Sequence, residues 1–294
     1  MARSRFVDLL EYLPLRLAVG IADALPITLS LAGGRMLGRL SWYLLPVRRR
    51  LATENVFNAG IAADRKEAAR IAKASFLSFG MLAAESLAAS RLITPETLDA
   101  HVELEIPEAS RRLFEDPDAG IILASSHLGN WELSGHIISF TKKLVAVARR
   151  MNNPYAQAFM LKRNPRRNIE IVSKRSNERM ALLRPLRNGQ LLGLISDQHA
   201  TSHGIMADFF GRPAKTVSSP ARLHLLTKCP IICGNCIRTG PMQFKMIATE
   251  PLVYSATGDR DADILRITTD LNRQIEMLIR QYPEQYLWAH RRWR

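Results

Sequence analysis

The stretch from residue 120 to residue 133 constrains this chain's fold more than any other. Ile121-Ile122-Leu123-Ala124 is an unbroken apolar run. Ser125, Ser126 and His127 follow it, then Leu128-Gly129-Asn130, and a helical pattern opens at Trp131. An apolar run that ends in turn residues before a helical pattern predicts a buried strand, a tight turn and a helix start. The polar cluster Ser125, Ser126, His127, Asn130 and Glu132 then falls at the C-terminal end of the strand, the edge where α/β sheets hold ligands. His127 and Glu132 would sit on different faces of one straight helix, but across a strand-to-helix turn they can converge. A histidine oriented by a carboxylate is a general base. Gly129 lets the backbone come close to a substrate.

Strand and helix patterns alternate from His101 onward. Strands are predicted over 101–105, 120–125, 143–148, 190–195, 231–237 and 244–248. Helices are predicted over 107–114, 131–140, 215–228 and 263–280. The alternation predicts an α/β fold, a largely parallel sheet flanked by helices. Residues 1–95 read as a helical, membrane-associating portion and 96–294 as the α/β domain. Within the first part, residue 51 onward reads as loop, followed by a long helix over 65–92 capped by Asp64.

The first 50 residues are apolar but interrupted. Between Leu17 and Gly34 the one charge is Asp23, with Pro26 close behind it. Arg35 and Arg39 follow, and Trp42-Tyr43 leads into Arg48-Arg49-Arg50. A spanning helix needs ~20 predominantly apolar residues, which this stretch barely offers. It fits a pair of amphipathic helices lying in a membrane interface, or a buried helical hairpin. Basic residues on both flanks favour membrane contact from the cytoplasmic side. No secretory signal pattern with a clean cleavage site is expected here.

The formal charge of +14 favours anionic partners. Eleven Lys or Arg and two Glu lie between Arg149 and Arg187, so +9 of that charge is concentrated there. Such density suggests a docking surface for lipid phosphates or an acidic carrier protein. Nucleic acid is not the expected partner, because no nucleic-acid motif is present and aromatics do not interleave the basic residues from 163 to 187. The three cysteines crowd into 229–236 and read as small buried strand residues rather than a metal site. Asp197, His199 and His203 also lack the rest of a first shell, so no metal is expected.

His127-Leu-Gly-Asn-Trp-Glu132 resembles the His-x4-Glu/Asp signature of the glycerolipid acyltransferase superfamily. With Glu in the last place it is similar to the bacterial lipid A late acyltransferases, the lauroyl/myristoyl transferase family. Further blocks match that family. They are Glu54-Asn55 after the arginines, an arginine at a strand end followed by Asn153-Pro154, Asp197-Gln198, Asp208-Phe-Phe-Gly211, and Pro283-Glu-Gln followed by Trp288 and His290-Arg-Arg292. The match runs over roughly residues 5 to 294.

The resemblance implies transfer of a fatty acyl chain from acyl carrier protein to a hydroxyl of a phosphorylated glycolipid, a lipid A precursor, at the cytoplasmic face of the inner membrane and without a cofactor. Coenzyme A as donor stays open, as do other acceptors: a glycerophospholipid, an ornithine lipid or a phosphoinositide mannoside. A non-catalytic basic membrane- or nucleic-acid-binding protein is the reading from another class. His127 would be the catalytic base and Glu132 its orienting acid. Ser126, Asn130, Arg149, Met151, Asn152, Asp197, Phe209, Phe210 and Thr216 would bind substrate, with Asn130 or backbone N–H groups near Gly129 on the oxyanion. Arg149 would fork onto an acceptor phosphate, with Arg150 as the other candidate. Phe209-Phe210 would line the acyl groove. An acyl-enzyme on Ser125 or Ser126 stays open.

Overall fold

A computed structural model of the chain describes residues 5–148, 151–163, 168–173, 179–200 and 204–294. Four helices lead: α1 (Arg5–Ala24), α2 (Ile27–Leu44), α3 (Pro46–Asn58) and α4 (Arg65–Leu92). Then come α5 (Leu98–His101), β1 (Val102–Glu105), α6 (Glu108–Glu115), β2 (Ile121–Ser125), α7 (Trp131–Ile138), β3 (Leu144–Ala148), α8 (Pro154–Arg163), β4 (Ile169–Ser173), α9 (Arg179–Arg187) and β5 (Leu191–Ile195). A hairpin of β6 (Gly204–Phe209) and β7 (Arg212–Val217) precedes α10 (Ser219–Thr227), β8 (Ile231–Gly240), β9 (Gln243–Ala248) and α11 (Arg260–Gln281). The chain closes on a 3-10 turn, Pro283–Gln285, and a C-terminal strap.

The fold is α/β, as expected. Seven strands form one sheet in the order β1-β9-β8-β2-β5-β3-β4, and β9 against β8 is its antiparallel pair. Side chains alternate across a strand, and here both faces are buried. Ile121, Leu123, Leu144 and Leu191 join the core under α4 and α7. Their neighbours Ile122, Ala124, Val145 and Leu192 join the core under α9, α10 and α11. This two-sided burial explains why β2 reads as a continuous apolar run.

Several elements differ from the sequence expectation, with α8, β4, α9 and β6 lying where no element is predicted. Residues 51–58 are helical within α3, where Ala52 and Val56, one turn apart, are fully buried and Arg50 pairs with Glu54 at 3.0 Å. Residues 215–217 belong to β7, and the helix starts only at Ser219, with Pro220 in its first turn. Hairpin β6–β7 turns at Phe210-Gly211, both at positive φ (57° and 69°), the two-residue geometry that matches strand twist. The Phe-Phe-Gly block is therefore a hairpin tip.

The first two helices do separate at Pro26, and both leave a row of leucines in the open. Leu13 is 57% exposed and Leu17 66%. Among the described helices, α4 is the one long and apolar enough to cross a membrane by length and composition. It is packed into protein: its Glu85 is fully buried in an ion pair with Arg238 of β8. α2 crosses α4 at backbone contact. A Cβ on Gly80 would collide with the Gly34 carbonyl oxygen, and one on Gly38 with that of Phe76. Gly80→Ala should therefore force the helices apart and cost about 1–3 kcal/mol or more. Gly20→Ala in α1, where a Cβ meets nothing within 4 Å, should be neutral or stabilise by up to about 1 kcal/mol. Urea unfolding of the two variants checks the contrast.

Candidate active site

The register of the sheet assembles the site. β2 and β5 are parallel neighbours, with Ser125 opposite Ile195. Two residues beyond each partner, the chain carries His127 and Asp197. The His127 Nδ1 lies 2.8 Å from Asp197 Oδ1, and the His127 backbone N–H donates to Asp197 Oδ2 at 2.9 Å. Because the carboxylate can only accept, Nδ1 carries the proton and Nε2 presents its lone pair. Gln198 Nε2 stands 3.2 Å from that Nε2. The ring of Trp131 packs edge-on against the imidazole at 4.9 Å.

Asp197 is fully buried. Burial alone would raise its carboxyl, but the His127 charge, hydrogen bonds from the His127 ring and backbone, and the Arg292 charge outweigh it, leaving the group below the usual carboxylate range. Arg292 is buried, and its guanidinium donates to Thr216 Oγ1 at 2.6 Å and the Lys215 carbonyl at 2.9 Å. Tyr286 is buried in the strap near Asp197. Burial, then the Asp197 charge, hold that phenol well above its ordinary value.

The turn is held from three sides. Asn235 Nδ2 on β8 donates to the carbonyls of Ser126 and Leu128, both at 3.1 Å. The Gly129 N–H donates to Gln285 O at 3.0 Å, and Leu287 N–H to His127 O at 3.1 Å. Gly129 has φ +64°, and a Cβ there would collide with the Cys236 carbonyl, so glycine is required by both conformation and space. Asn130 caps α7, its Oδ1 accepting from Leu133 N at 2.9 Å while its Nδ2 donates to Glu85 Oε2 at 3.0 Å.

These bonds give several of the expected residues structural partners. The His127 ring bonds Asp197 and Gln198, whereas Glu132 lies beside it on the wall of a cavity of about 400 Å3. The Asn130 side chain is fully committed as a cap, and the N–H groups of Gly129 and Asn130 are spent on the Gln285 and Cys236 carbonyls. None of these is a free oxyanion donor. Ser126 Oγ bonds Asn235 and Ser125 Oγ the Gly234 carbonyl, with no base beside either among the described residues.

Phe209, Phe210 and Thr216 also lie off the cavity. The two phenylalanines are buried in a core with Trp288 and Tyr286, and Thr216 holds Arg292. Met151 and Asn152 are exposed just ahead of α8. Asn153 caps α8, its Oδ1 accepting from Tyr155 N and Ala156 N at 3.1 Å, with Pro154 at the first helical position. Arg149, Arg150 and much of the basic cluster lie outside the described residues.

Leu123, Leu144, Ala146, Ile169, Ile171 and Leu194 give the cavity an apolar wall, while Ser125, His127, Glu132, Ser134, Gln198 and His199 supply its polar side. An apolar wall with a few convergent polar groups is the form of a small-molecule site. Gln198, Trp131 and Tyr286 are the residues not singled out from sequence. The Asp-Gln pair at a strand end was the available signal for Gln198.

Behind Asp197, His290 is pushed down to about 4, by burial first and then by the nearby cations, against the opposing pull of Asp197. Its folded value lies below the unfolded one near 6.5, so acid protonates the unfolded chain first. Its destabilising contribution is absent above about pH 6.5 and grows as pH falls toward 4. Asp197 acts in the same direction lower down, its stabilisation being present above its ordinary value near 3.9 and lost as pH falls through its lower folded value. Melting temperature should thus fall between pH 6.5 and 4. His290→Gln should flatten that part of the curve; an unaltered slope would assign the acid sensitivity elsewhere.

The family model of bacterial lipid A biosynthesis acyltransferases matches residues 10–294. Among curated proteins, the chain is 24% identical over 178 residues to the phosphatidylinositol mannoside acyltransferase of Mycobacterium tuberculosis, covering 59% of this chain and 54% of that protein. It is 22% identical over 178 residues to the lipid A biosynthesis palmitoleoyltransferase of Escherichia coli, covering 60% of this chain and 56% of that one. The matched segment thus spans little more than half the length of these relatives. The family match covers nearly the whole chain, from the helical N-terminal part through the His127 turn to the strap behind Asp197, and this chain belongs to the bacterial lipid A biosynthesis acyltransferase family.

Proposed function

We propose that this chain transfers a fatty acyl group from a carrier thioester to a hydroxyl of a phosphorylated glycolipid at a membrane surface. The observation that carries the reading is the His127 ring, protonated at Nδ1 toward a buried carboxylate and turning Nε2, held by the Gln198 amide, toward a largely apolar cavity. The acceptor hydroxyl takes the place of the Gln198 amide at Nε2. His127 removes its proton as the oxygen attacks the thioester carbonyl. The displaced Gln198 amide then donates to the oxyanion. Collapse breaks the C–S bond, and the thiolate leaves with the proton from His127. Asp197 stabilises the imidazolium throughout.

Glu132, the expected partner of His127, keeps a role in this reading as a second negative charge beside the imidazolium, placed in the first turn of α7 where the helix dipole favours an anion. The resemblance to the family supports acyl carrier protein as the donor and a lipid A precursor as the acceptor in this reading. The relatives named above make a phosphoinositide mannoside the acceptor to test beside it.

Single-turnover transfer from a radiolabelled acyl thioester tests the roles. His127→Ala should abolish transfer, and retained transfer in that variant would overturn the mechanism. Asp197→Asn should lose about 10²–10⁴-fold, and adding it to His127→Ala should cost little more, as for residues acting as a unit. Glu132→Gln should lose less than Asp197→Asn. A larger loss would return the orienting role to Glu132.

The leucines of α1 supply the membrane contact. With Leu13 and Leu17 exposed among basic flanks, the helix suits the headgroup boundary. Leu13→Asp or Leu17→Asp should weaken binding to anionic vesicles by about tenfold or more each, leaving the fold intact. Sedimentation with vesicles measures it.

A further inference from the structure

A second apolar space adjoins the catalytic turn. It is a groove of about 270 Å3 between α2, α4 and the C-terminal strap, lined by Leu37, Ser41, Phe76, Phe79, Leu287 and Ala289, with Gly38 and Gly80 adding no side chains. We infer that this groove holds a hydrocarbon chain of the anionic lipid acceptor, while the sheet cavity takes the acyl chain of the donor. The inference rests on the acyl-transfer reading above for its division of labour.

Three observations point to a lipid of this kind. The groove abuts the reacting centre. Leu287 on its wall donates its N–H to His127 O at 3.1 Å. Phe79 packs on Trp131 at 5.2 Å, and Trp131 on His127 at 4.9 Å. Trp131 therefore stands between the two spaces, touching the wall of one and lining the other. A two-substrate enzyme needs both chains fixed with their polar ends at one base, and two apolar spaces on either side of Trp131, beside one histidine, suit that arrangement.

The groove also continues into the exposed apolar face of α2. Leu37 is 61% exposed, and Leu40 and Leu44 follow along the same helix. A chain can pass from a bilayer into the groove without crossing water. Finally, the rim is cationic. Arg48 Nη1 donates to the carbonyl of Ala289, itself a lining residue, at 3.1 Å. An apolar trough with a guanidinium at its rim complements an alkyl chain joined to an anionic headgroup.

The test uses the full chain on phosphatidylcholine vesicles containing phosphatidylglycerol with a diazirine in one acyl chain, and no donor. Illumination followed by peptide mass spectrometry should place label on the segments 37–41 and 76–80. Ser41→Phe fills the groove and should cut that labelling by about tenfold, whereas Ser41→Ala keeps the space and should retain it. Label confined to α1, or unchanged labelling of segments 37–41 and 76–80 in a folded Ser41→Phe protein, overturns the inference. So does preferential labelling of the same segments by a diazirine acyl pantetheine, which would make the groove a donor site. The wild-type map decides even where Ser41→Phe does not fold. Lipid occupancy is read here without turnover, so failure of acyl transfer itself appears separately, as wild-type protein that takes up label but transfers nothing.

Discussion

The structure depends on one buried charge, the carboxylate of Asp197. It accepts two hydrogen bonds from a single residue, one from the His127 ring and one from its backbone, and this fixes both the direction of the turn and the tautomer of the imidazole. A carboxylate without water must be paired and hydrogen-bonded or it will take up a proton. The chain meets that demand with its last residues. Arg292 and Tyr286 approach from the strap, and Trp288 fills the space behind them as one of the largest fully buried side chains. Asn55 of α3 holds the strap by donating to the carbonyls of Trp288 and His290 at 2.8 and 2.9 Å. The matching blocks around Asn55 and at the C-terminus, distant in sequence, thus converge on the same carboxylate.

A second buried carboxylate steadies the other end of the turn. Glu85 binds Arg238 on one side and Asn130 on the other, and Arg238 also donates to Ser78 Oγ at 2.9 Å. Removing one partner from such a buried pair leaves an uncompensated charge, which costs about 3–5 kcal/mol. A helix that passes a compositional test for crossing a membrane therefore belongs to the protein interior. Its Glu85 and Ser86 bond Asn130 at the turn, and its glycine gives α2 a backbone-distance seat.

The sequence was most readable where local pattern and packing agree. The apolar run of β2, the cap at Asp64 and the break at Pro26 depend on nearest neighbours, and each appears where expected. The Asp64 side chain accepts from Glu67 N at 2.7 Å, while Glu67 reaches back to Ala63 N at 2.8 Å, a reciprocal cap legible from spacing alone. The misses are tertiary. Thr216 and Val217 precede a helical run rich in Ala and Leu, so they read as its first turn. Pairing with β6 makes them strand instead, a choice set by a partner in the chain rather than by propensity.

The partner of His127 was hidden for the same reason. A carboxylate five residues along the chain is visible to any sequence reading, whereas one seventy residues away becomes a neighbour only through strand register. Once Ser125 faces Ile195, the residues two steps beyond each strand approach, and Asp197 meets the His127 ring. Glu132 stands in the first turn of α7, which begins at Trp131 and is fixed by the Asn130 cap, and it lines the same cavity as His127. A strand-end histidine in a parallel sheet should thus be paired first with the residue at the matching overhang of the adjacent strand. The acid that follows it in sequence has to satisfy the geometry of its own helix before it can serve the histidine.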